Sequence, residues 1–127
     1  MDKEFIPYEQ ALALKELGFD EPCMYIFDKQ RNNLMCPIYG LFENEEPNRF
    51  LNAPLYQQAF RWFREKYGLD VTFRKMDYGP ESQFTGYYFS VYRGNELIDI
   101  HGADKKCKLY EDTELECLKK LISIVKQ

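Results

Sequence analysis

The chain has little of what catalytic and metal-binding sites are usually built from. It contains one histidine, His101, and its four cysteines form no Cys-x-x-Cys pair. Zinc sites usually show close ligand pairs, so we predict no metal and expect the cysteines to be small apolar core residues. The motifs of a phosphate-binding loop, a zinc-protease helix and a serine-hydrolase elbow are missing as well. These absences predict a non-enzymatic protein without a cofactor.

Long hydrophobic runs are also missing. No apolar stretch approaches the roughly 20 residues that cross a bilayer. The N-terminus, Met1-Asp-Lys-Glu-Phe, is charged and lacks the apolar core of a signal peptide. We therefore predict a soluble protein of a reducing cytoplasm that makes no membrane contact.

An excess of positive charge is the third absence. The formal net charge is −4 and the sequence pI is about 5.1. Binding to a DNA or RNA backbone depends on neutralising phosphates, which a molecule of this sign disfavours. Nucleic acid is therefore not the expected partner.

Aromatic side chains, in contrast, are abundant. They make up 17% of the 127 residues, within a hydrophobic share of 45%. Each ring residue buries roughly 150–250 Å². A stable core is therefore expected, and the length fits a single domain over residues 1–127.

Hydrophobic periodicity predicts three helices and about five strands in the order α-β-β-α-β-β-β-α. Pro7 and Pro54 suit the first helical position, and Glu111 opens the last helix with acidic residues. Gly18 is expected to end the first helix in the left-handed conformation. Gly94-Asn95 predicts a two-residue hairpin turn. We predict an α+β fold in which a single antiparallel sheet packs with three helices.

The segment from Gly40 to Asn52 is expected to be an exposed loop. It carries Glu43, Glu45 and Glu46 but lacks the alternating pattern of a calcium-binding loop. Long connections of this kind are often functional, and we assign this one no specific role.

The helix predicted between Ala53 and Leu69 has two contrasting faces. Phe60 and Phe63 lie on the apolar face and are expected in the core, with Trp62 at its margin. The opposite face carries three polar residues at i, i+4 and i+7. These are Gln57, Arg61 and Arg64. A solvated face with a few ion pairs is the simpler interpretation. Guanidinium forks bind carboxylate or phosphate, so the functional alternative is contact with an anion or an acidic partner.

The strand from Tyr87 to Tyr92 alternates two sets of side chains. If Phe89 and its neighbours face the core, Tyr88 and Tyr92 share the other face. Left open, that face would form an aromatic platform of the kind that holds RNA bases. A second helix layer or a homodimer partner could cover it instead.

His101 is the candidate for catalysis. It follows Asp99 and precedes Asp104, and a His–Asp pair can serve as a general base. No nucleophile is singled out by its spacing, and a surface or packed histidine is the simpler interpretation.

Three blocks of sequence resemble a known group of proteins. They read YEQALALKELGFDEPC at 8–23, AFRWFREKYGL at 59–69 and ELECLKKLISIVK at 114–126. Together they are similar to small, uncharacterised proteins encoded by phages and prophages of gut Bacteroidales. The resemblance departs at the last helix, where Leu109 replaces the usual hydroxyl cap and Thr113 stands where alanine is common. It implies a small protein made inside an infected bacterium that acts by binding.

The leading hypothesis is therefore a phage-type accessory protein that binds a host or phage macromolecule, with a protein as the expected partner. The alternative is a protein that binds or sequesters a small anionic ligand such as a nucleotide signal. Its candidate contacts would be Arg61, Arg64, Tyr88 and Tyr92. An enzyme centred on His101 is the third hypothesis.

Overall fold

The computed structural model describes residues 2–28, 33–35, 50–77, 85–102, 107 and 109–127. The length of the chain predicts one domain, and contacts group it into two compact units, Met1–Tyr56 and Gln57–Gln127. The described α-helices are α1 (Tyr8–Glu16), α2 (Tyr56–Tyr67) and α3 (Tyr110–Lys126). The described strands are β1 (Tyr25–Asp28), β2 (Asn33–Met35), β3 (Phe50–Ala53), β4 (Leu69–Asp77), β5 (Thr85–Arg93) and β6 (Glu96–Gly102).

The first unit combines α1 with a three-stranded antiparallel sheet in the order β2-β1-β3. Phe27 of the central strand lies between Leu34 and Leu51 of its neighbours. The chain before α1 is tied to the end of β3, because the Ile6 amide donates to the Pro54 carbonyl at 3.1 Å. This bond and the contact between α1 and β3 hold the helix against the sheet.

The end of α1 is a Schellman motif built around Gly18. Its φ is 102°, which only glycine adopts without strain. The Gly18 amide donates to Lys15 at 3.0 Å, and the Phe19 amide donates to Leu14 at 2.9 Å. Phe19 is buried as the chain folds back. The predicted helix end is confirmed.

The prolines stand earlier than predicted. Pro7 is the N-cap of α1 and not its first helical residue, because its ψ of 159° is extended. Its carbonyl still accepts the first helical hydrogen bond, from Ala11 at 2.9 Å. Pro54 lies two residues before α2. Both prolines therefore mark the approach to a helix.

The second unit contains most of α2, all of α3 and the antiparallel meander β4-β5-β6. Phe73 of β4 lies opposite Phe89, and Val91 of β5 lies opposite Asp99. The β5–β6 turn places Gly94 at a φ of 61°, as the hairpin prediction requires. Its nearest surroundings leave space for a Cβ, so the backbone angle alone makes glycine the favoured residue.

The start of α3 resolves the question that Leu109 and Thr113 raised. Leu109 is the N-cap residue and supplies no side-chain hydrogen bond. The buried Thr113 hydroxyl instead donates back to the Leu109 carbonyl at 2.9 Å, with the Cys107 carbonyl at 3.5 Å. Thr113 thus fixes the chain that enters the helix but satisfies none of the free amides of its first turn.

The predicted α+β class and the order of its elements are confirmed, but the single sheet is wrong. The described strands form two three-stranded sheets, and β3 is an additional strand within the segment predicted as a loop. Phe50 to Ala53 form β3 because β1 offers a second edge to pair with. Residues 36–49, which include Glu43, Glu45 and Glu46, lie outside the described part. No described helix is long and apolar enough to cross a membrane.

Candidate interaction surface

Strand register divides the β4-β5-β6 sheet into two faces. Residues directly opposite each other across a strand pair point to the same side. Phe73 and Phe89 are such a pair, and so are Thr72 and Ser90. The Phe73 side is called the covered face, and the Thr72 side is called the open face.

The covered face carries both helices of this unit. Phe60 of α2 packs on Phe73 with ring centroids 5.5 Å apart. Tyr110 of α3 contacts Phe73 at 5.5 Å and Tyr87 at 5.4 Å. Phe89, between these contacts, is fully buried. The alternation predicted for the strand is therefore confirmed, since Tyr87 and Phe89 face the helices.

The open face is exposed to solvent along both edge strands. Its residues on β4 are Asp70, Thr72 and Arg74, which are exposed, and Met76, which is half-buried. On β6, Leu97 is 50% exposed and Ile100 is 57% exposed. Two large aliphatic side chains at such exposure on one side of a sheet indicate an apolar patch of the kind found at interaction sites.

A β-bulge brings these two aliphatic residues together. Leu97 lies opposite Tyr92 and Ile100 lies opposite Ser90, with the register shifting between Val91 and Tyr92. In a regular strand, residues three apart point to opposite faces. The bulge adds one residue and places both on the open face. Sequence alternation alone therefore could not have found this patch.

Tyr88 and Tyr92 occupy the middle of the open face, as predicted. Both are partly exposed, and they lie opposite Arg74 and Asp70 respectively. Ser90 between them is 4% exposed, although its lateral neighbours Thr72 and Ile100 are open. A short side chain set between two tyrosines is shielded by its position in the row. The two described helices of this unit pack on the other face, against Phe73.

The polar face of α2 is exposed, but it does not join the tyrosines. Gln57, Arg61 and Arg64 are all exposed. Phe60, on the opposite side of α2, packs on the covered face of the sheet. The arginines and the tyrosines therefore lie on opposite sides of the sheet, and the structure does not assemble the nucleotide site that would combine them.

Trp62 is a core residue and not the marginal contact residue that the sequence suggested. It is 7% exposed, and its ring packs edge-on against Phe63 at 5.1 Å and Tyr67 at 5.6 Å. The Lys66 ammonium lies 5.0 Å from the ring centroid, a cation–π geometry. Little of the indole surface is accessible to a binding partner. The apolar face of α2 includes Trp62, so it is one residue wider than the sequence pattern indicated.

His101 lies on the covered side, at the exposed end of β6. Its ring centroid is 5.6 Å from that of Phe89. The Asp99 carboxylate, its proposed orienting partner, is paired with the Lys120 ammonium of α3 at 3.2 Å. Asp104 lies outside the described residues. Asp99 therefore serves as the strand partner of an ion pair between β6 and α3.

A partly buried cluster of titratable side chains lies beside the covered face, at the N-terminal half of α3. Cys107 and Cys117 are fully buried, as predicted for small core residues. Burial, then the Glu114 carboxylate and Cys107, raise the pKa of the Cys117 thiol far above its usual range. Such a thiol stays neutral and is a poor nucleophile or metal ligand. Cys23 is half-buried, and Cys36 lies outside the described residues.

Two further groups of this cluster titrate abnormally. Burial, reinforced by Glu111, raises the pKa of Glu114 from 4.5 to about 7. Burial also raises the pKa of Tyr110, with added contributions from Glu114, Cys117 and Tyr87. Within the described ranges, no group of three His, Cys, Asp or Glu side chains is placed to hold a metal ion.

Among the described residues of the first unit, the structure shows a small cleft that the sequence did not indicate. Its volume is about 230 Å³, and its lining comprises Ala11, Lys15, Phe19, Asp20, Leu51 and Asn52. Ligand sites usually enclose about 300–1,000 Å³. The cleft is therefore small for a nucleotide, and the open face is the stronger candidate surface.

The assignment of function to these surfaces thus depends on their own chemistry. No protein-family model, no curated protein and no solved structure matches this chain.

Proposed function

We propose that this protein acts by binding another protein through the open face of the β4-β5-β6 sheet. The observation that carries the proposal is the exposure of Leu97 and Ile100 beside two partly exposed tyrosines. Tyrosine buries a large area at a low cost in side-chain entropy and is enriched among residues that dominate binding energies. An apolar centre with polar residues around it is the usual composition of a protein interface.

The charges of this face favour a protein over a polyanion. Arg74 is balanced by Asp70 on the same strand and the same side. RNA-binding sheets surround their stacking rings with cations, which neutralise phosphates. The open face has no such excess among its described residues, and the whole chain carries a net charge of −4. A partner with a neutral or mixed surface fits it best.

The biological setting is part of the same proposal. A phage-type accessory role in a bacterial cytoplasm is supported by the three sequence blocks that resemble such proteins. A partner would then be a host or phage protein. A small anionic ligand receives less support, since Arg61 and Tyr88 lie on opposite sides of the sheet.

The test is capture of partners from bacterial lysate by the tagged protein and by two double variants. Tyr92→Ala with Ile100→Ser removes the centre of the open face. Arg61→Ala with Arg64→Ala alters the exposed face of α2 and serves as the matched control. The face variant should lose captured proteins, with affinity falling by about tenfold or more, whereas the helix variant should keep them.

Folding of each variant is checked by fluorescence, because Trp62 is the single tryptophan and is buried. Capture that survives in the folded face variant but fails in the helix variant would place the binding surface on α2. Absence of any captured protein with the folded wild type would remove the proposal.

A further inference from the structure

Two oppositely charged residues of the open face could pair with their counterparts in a second molecule. Asp70 and Arg74 are exposed on the same side of β4, four residues apart, which is about 13 Å along a strand. Within the described part of the chain, neither forms an ion pair. A second molecule turned end for end would place its Arg74 over this Asp70 and its Asp70 over this Arg74.

We infer that a second copy of this chain occupies the open face when no other partner is bound, so that the protein rests as a two-fold symmetric dimer. This inference rests on the proposed function, since it names an occupant of the same surface. It also implies regulation, because a partner must compete with dimerisation. Isologous contacts of this kind are the commonest way in which soluble proteins self-associate.

The register of the sheet locates the symmetry axis. Thr72, Ser90 and Ile100 form one row across the three strands. A two-fold axis along this row superposes each strand on its own copy in antiparallel orientation. Tyr88 of one molecule then meets Tyr92 of the other, and the two copies of Ile100 meet at the axis. Sheets that pack face to face keep strand directions within about 30°, which this arrangement allows.

Packing through the face is favoured over pairing through the β6 edge. β6 is an edge strand, and its shift in register against β5 is a bulge. Bulges twist an edge away and hinder the addition of another strand. Asp70 and Arg74 lie on β4, at the opposite edge, so they report on face packing and not on pairing with β6.

The size of the face predicts a weak dimer. Strands of nine residues are about 30 Å long and three strands are about 14 Å wide, which gives roughly 400 Å². Stable interfaces bury about 800 Å² per partner. Association should therefore depend on concentration in the micromolar range, which suits a contact that a partner displaces.

Reciprocal charge exchange tests the inference. Sedimentation equilibrium is measured from about 1 µM to about 500 µM for the wild type, Asp70→Arg, Arg74→Asp and the double variant. Each single exchange places like charges opposite each other and should weaken dimerisation by about tenfold. The double variant restores both pairs and should dimerise within about threefold of the wild type. Both residues are exposed, so folding should be unaffected, and Trp62 fluorescence verifies it.

A wild type that stays monomeric over the whole range overturns the inference, and so does a folded double variant that remains as weak as the single ones. Lysate capture separates this result from the proposed function. A monomeric protein that still captures a partner through Tyr92 and Ile100 leaves the function standing and removes the dimer. If the wild type dimerises but captures no protein, and the weakened Asp70→Arg variant captures none either, the dimer stands and the proposed function is removed.

Discussion

The two faces of the β4-β5-β6 sheet come from alternate residues of the same strands, yet they differ in composition and in exposure. Phe89 and Val91 on one face are fully buried, whereas Thr72 and Ile100 on the other are exposed. The covered face is explained by the helices that pack on it. The open face carries aromatic and aliphatic groups that the described helices of this unit do not cover, and this uncovered apolar surface points to a binding role.

The largest expected effect contrasts neighbouring aromatic residues on the two faces. Phe89→Ala should destabilise the protein by about 3–5 kcal/mol, because Phe89 is fully buried on the covered face and its loss leaves a cavity there. Tyr88→Ala removes a partly exposed ring and should cost about 1 kcal/mol or less. Urea denaturation followed by tryptophan fluorescence measures both.

Equal losses of stability in the two variants would contradict this difference between the faces. Such a result would mean that Tyr88 is as deeply packed as Phe89, and the open face would then have no claim as a binding surface. A far-UV circular dichroism spectrum of Tyr88→Ala that matches the wild type is the control that its fold is intact.

The helices and most strands were predictable because their signals are local. Gly18 and Gly94 mark positions of positive φ, and the alternation of residue types along β5 is enough to separate Phe89 from Tyr88. What the sequence could not supply depends on neighbours. Phe50–Ala53 is a strand only because β1 pairs with it, and Leu97 joins Ile100 only through a bulge. Trp62 is also more deeply buried than its position at the margin of the apolar stripe indicated, with Phe63 and Tyr67 of the same helix against its ring.

The second prediction concerns the half-buried Glu114 carboxyl beside the covered face. The folded state raises the pKa of Glu114 from 4.5 to about 7, so folding favours its protonated form. Its contribution is therefore fully present below pH 4.5 and is lost as the pH rises towards 7. Because Glu114 is partly exposed, the loss should be about 1–2 kcal/mol after screening by solvent.

Glu114→Gln isolates that contribution. The variant should gain stability relative to the wild type as the pH increases from about 4.5 to about 7.5, and the gain should then level off. Thermal unfolding across this range measures the difference. Glu116→Gln is the matched control, since Glu116 lies one half-turn away and pairs with Lys119 at 3.6 Å. A difference that does not change with pH would mean that Glu114 is not desolvated by the covered side.

The third prediction tests how much of the stability of α3 comes from packing on the covered face and how much from the capping of its N-terminus. Leu109, the N-cap residue, is 55% exposed and satisfies none of the free amides of the helix. Leu109→Asp should stabilise the protein by about 1 kcal/mol, because a carboxylate caps those amides and suits the helix dipole. Urea denaturation measures the gain, and Leu109→Ala separates capping from loss of an exposed side chain. A decrease in stability with both substitutions would show that Leu109 packs in a way that its exposure does not suggest.

The smallest expected effect concerns the ion pair that joins α3 to the edge of the sheet. The Lys120 ammonium lies 3.2 Å from the Asp99 carboxylate, and the two side chains are 44% and 30% exposed to solvent. Exposed pairs contribute about 0.2–1 kcal/mol, so Lys120→Ala should cost about 0.5 kcal/mol and Asp99→Asn about the same. A double-mutant cycle in urea measures the coupling, which high salt should reduce.

Because this pair lies on the covered side, its removal should leave the binding of partners through the open face unchanged. If Lys120→Ala abolished partner binding without unfolding the protein, the two faces would not act independently. The division into a structural face and a binding face would then be wrong, and β6 would have to transmit changes from one face to the other.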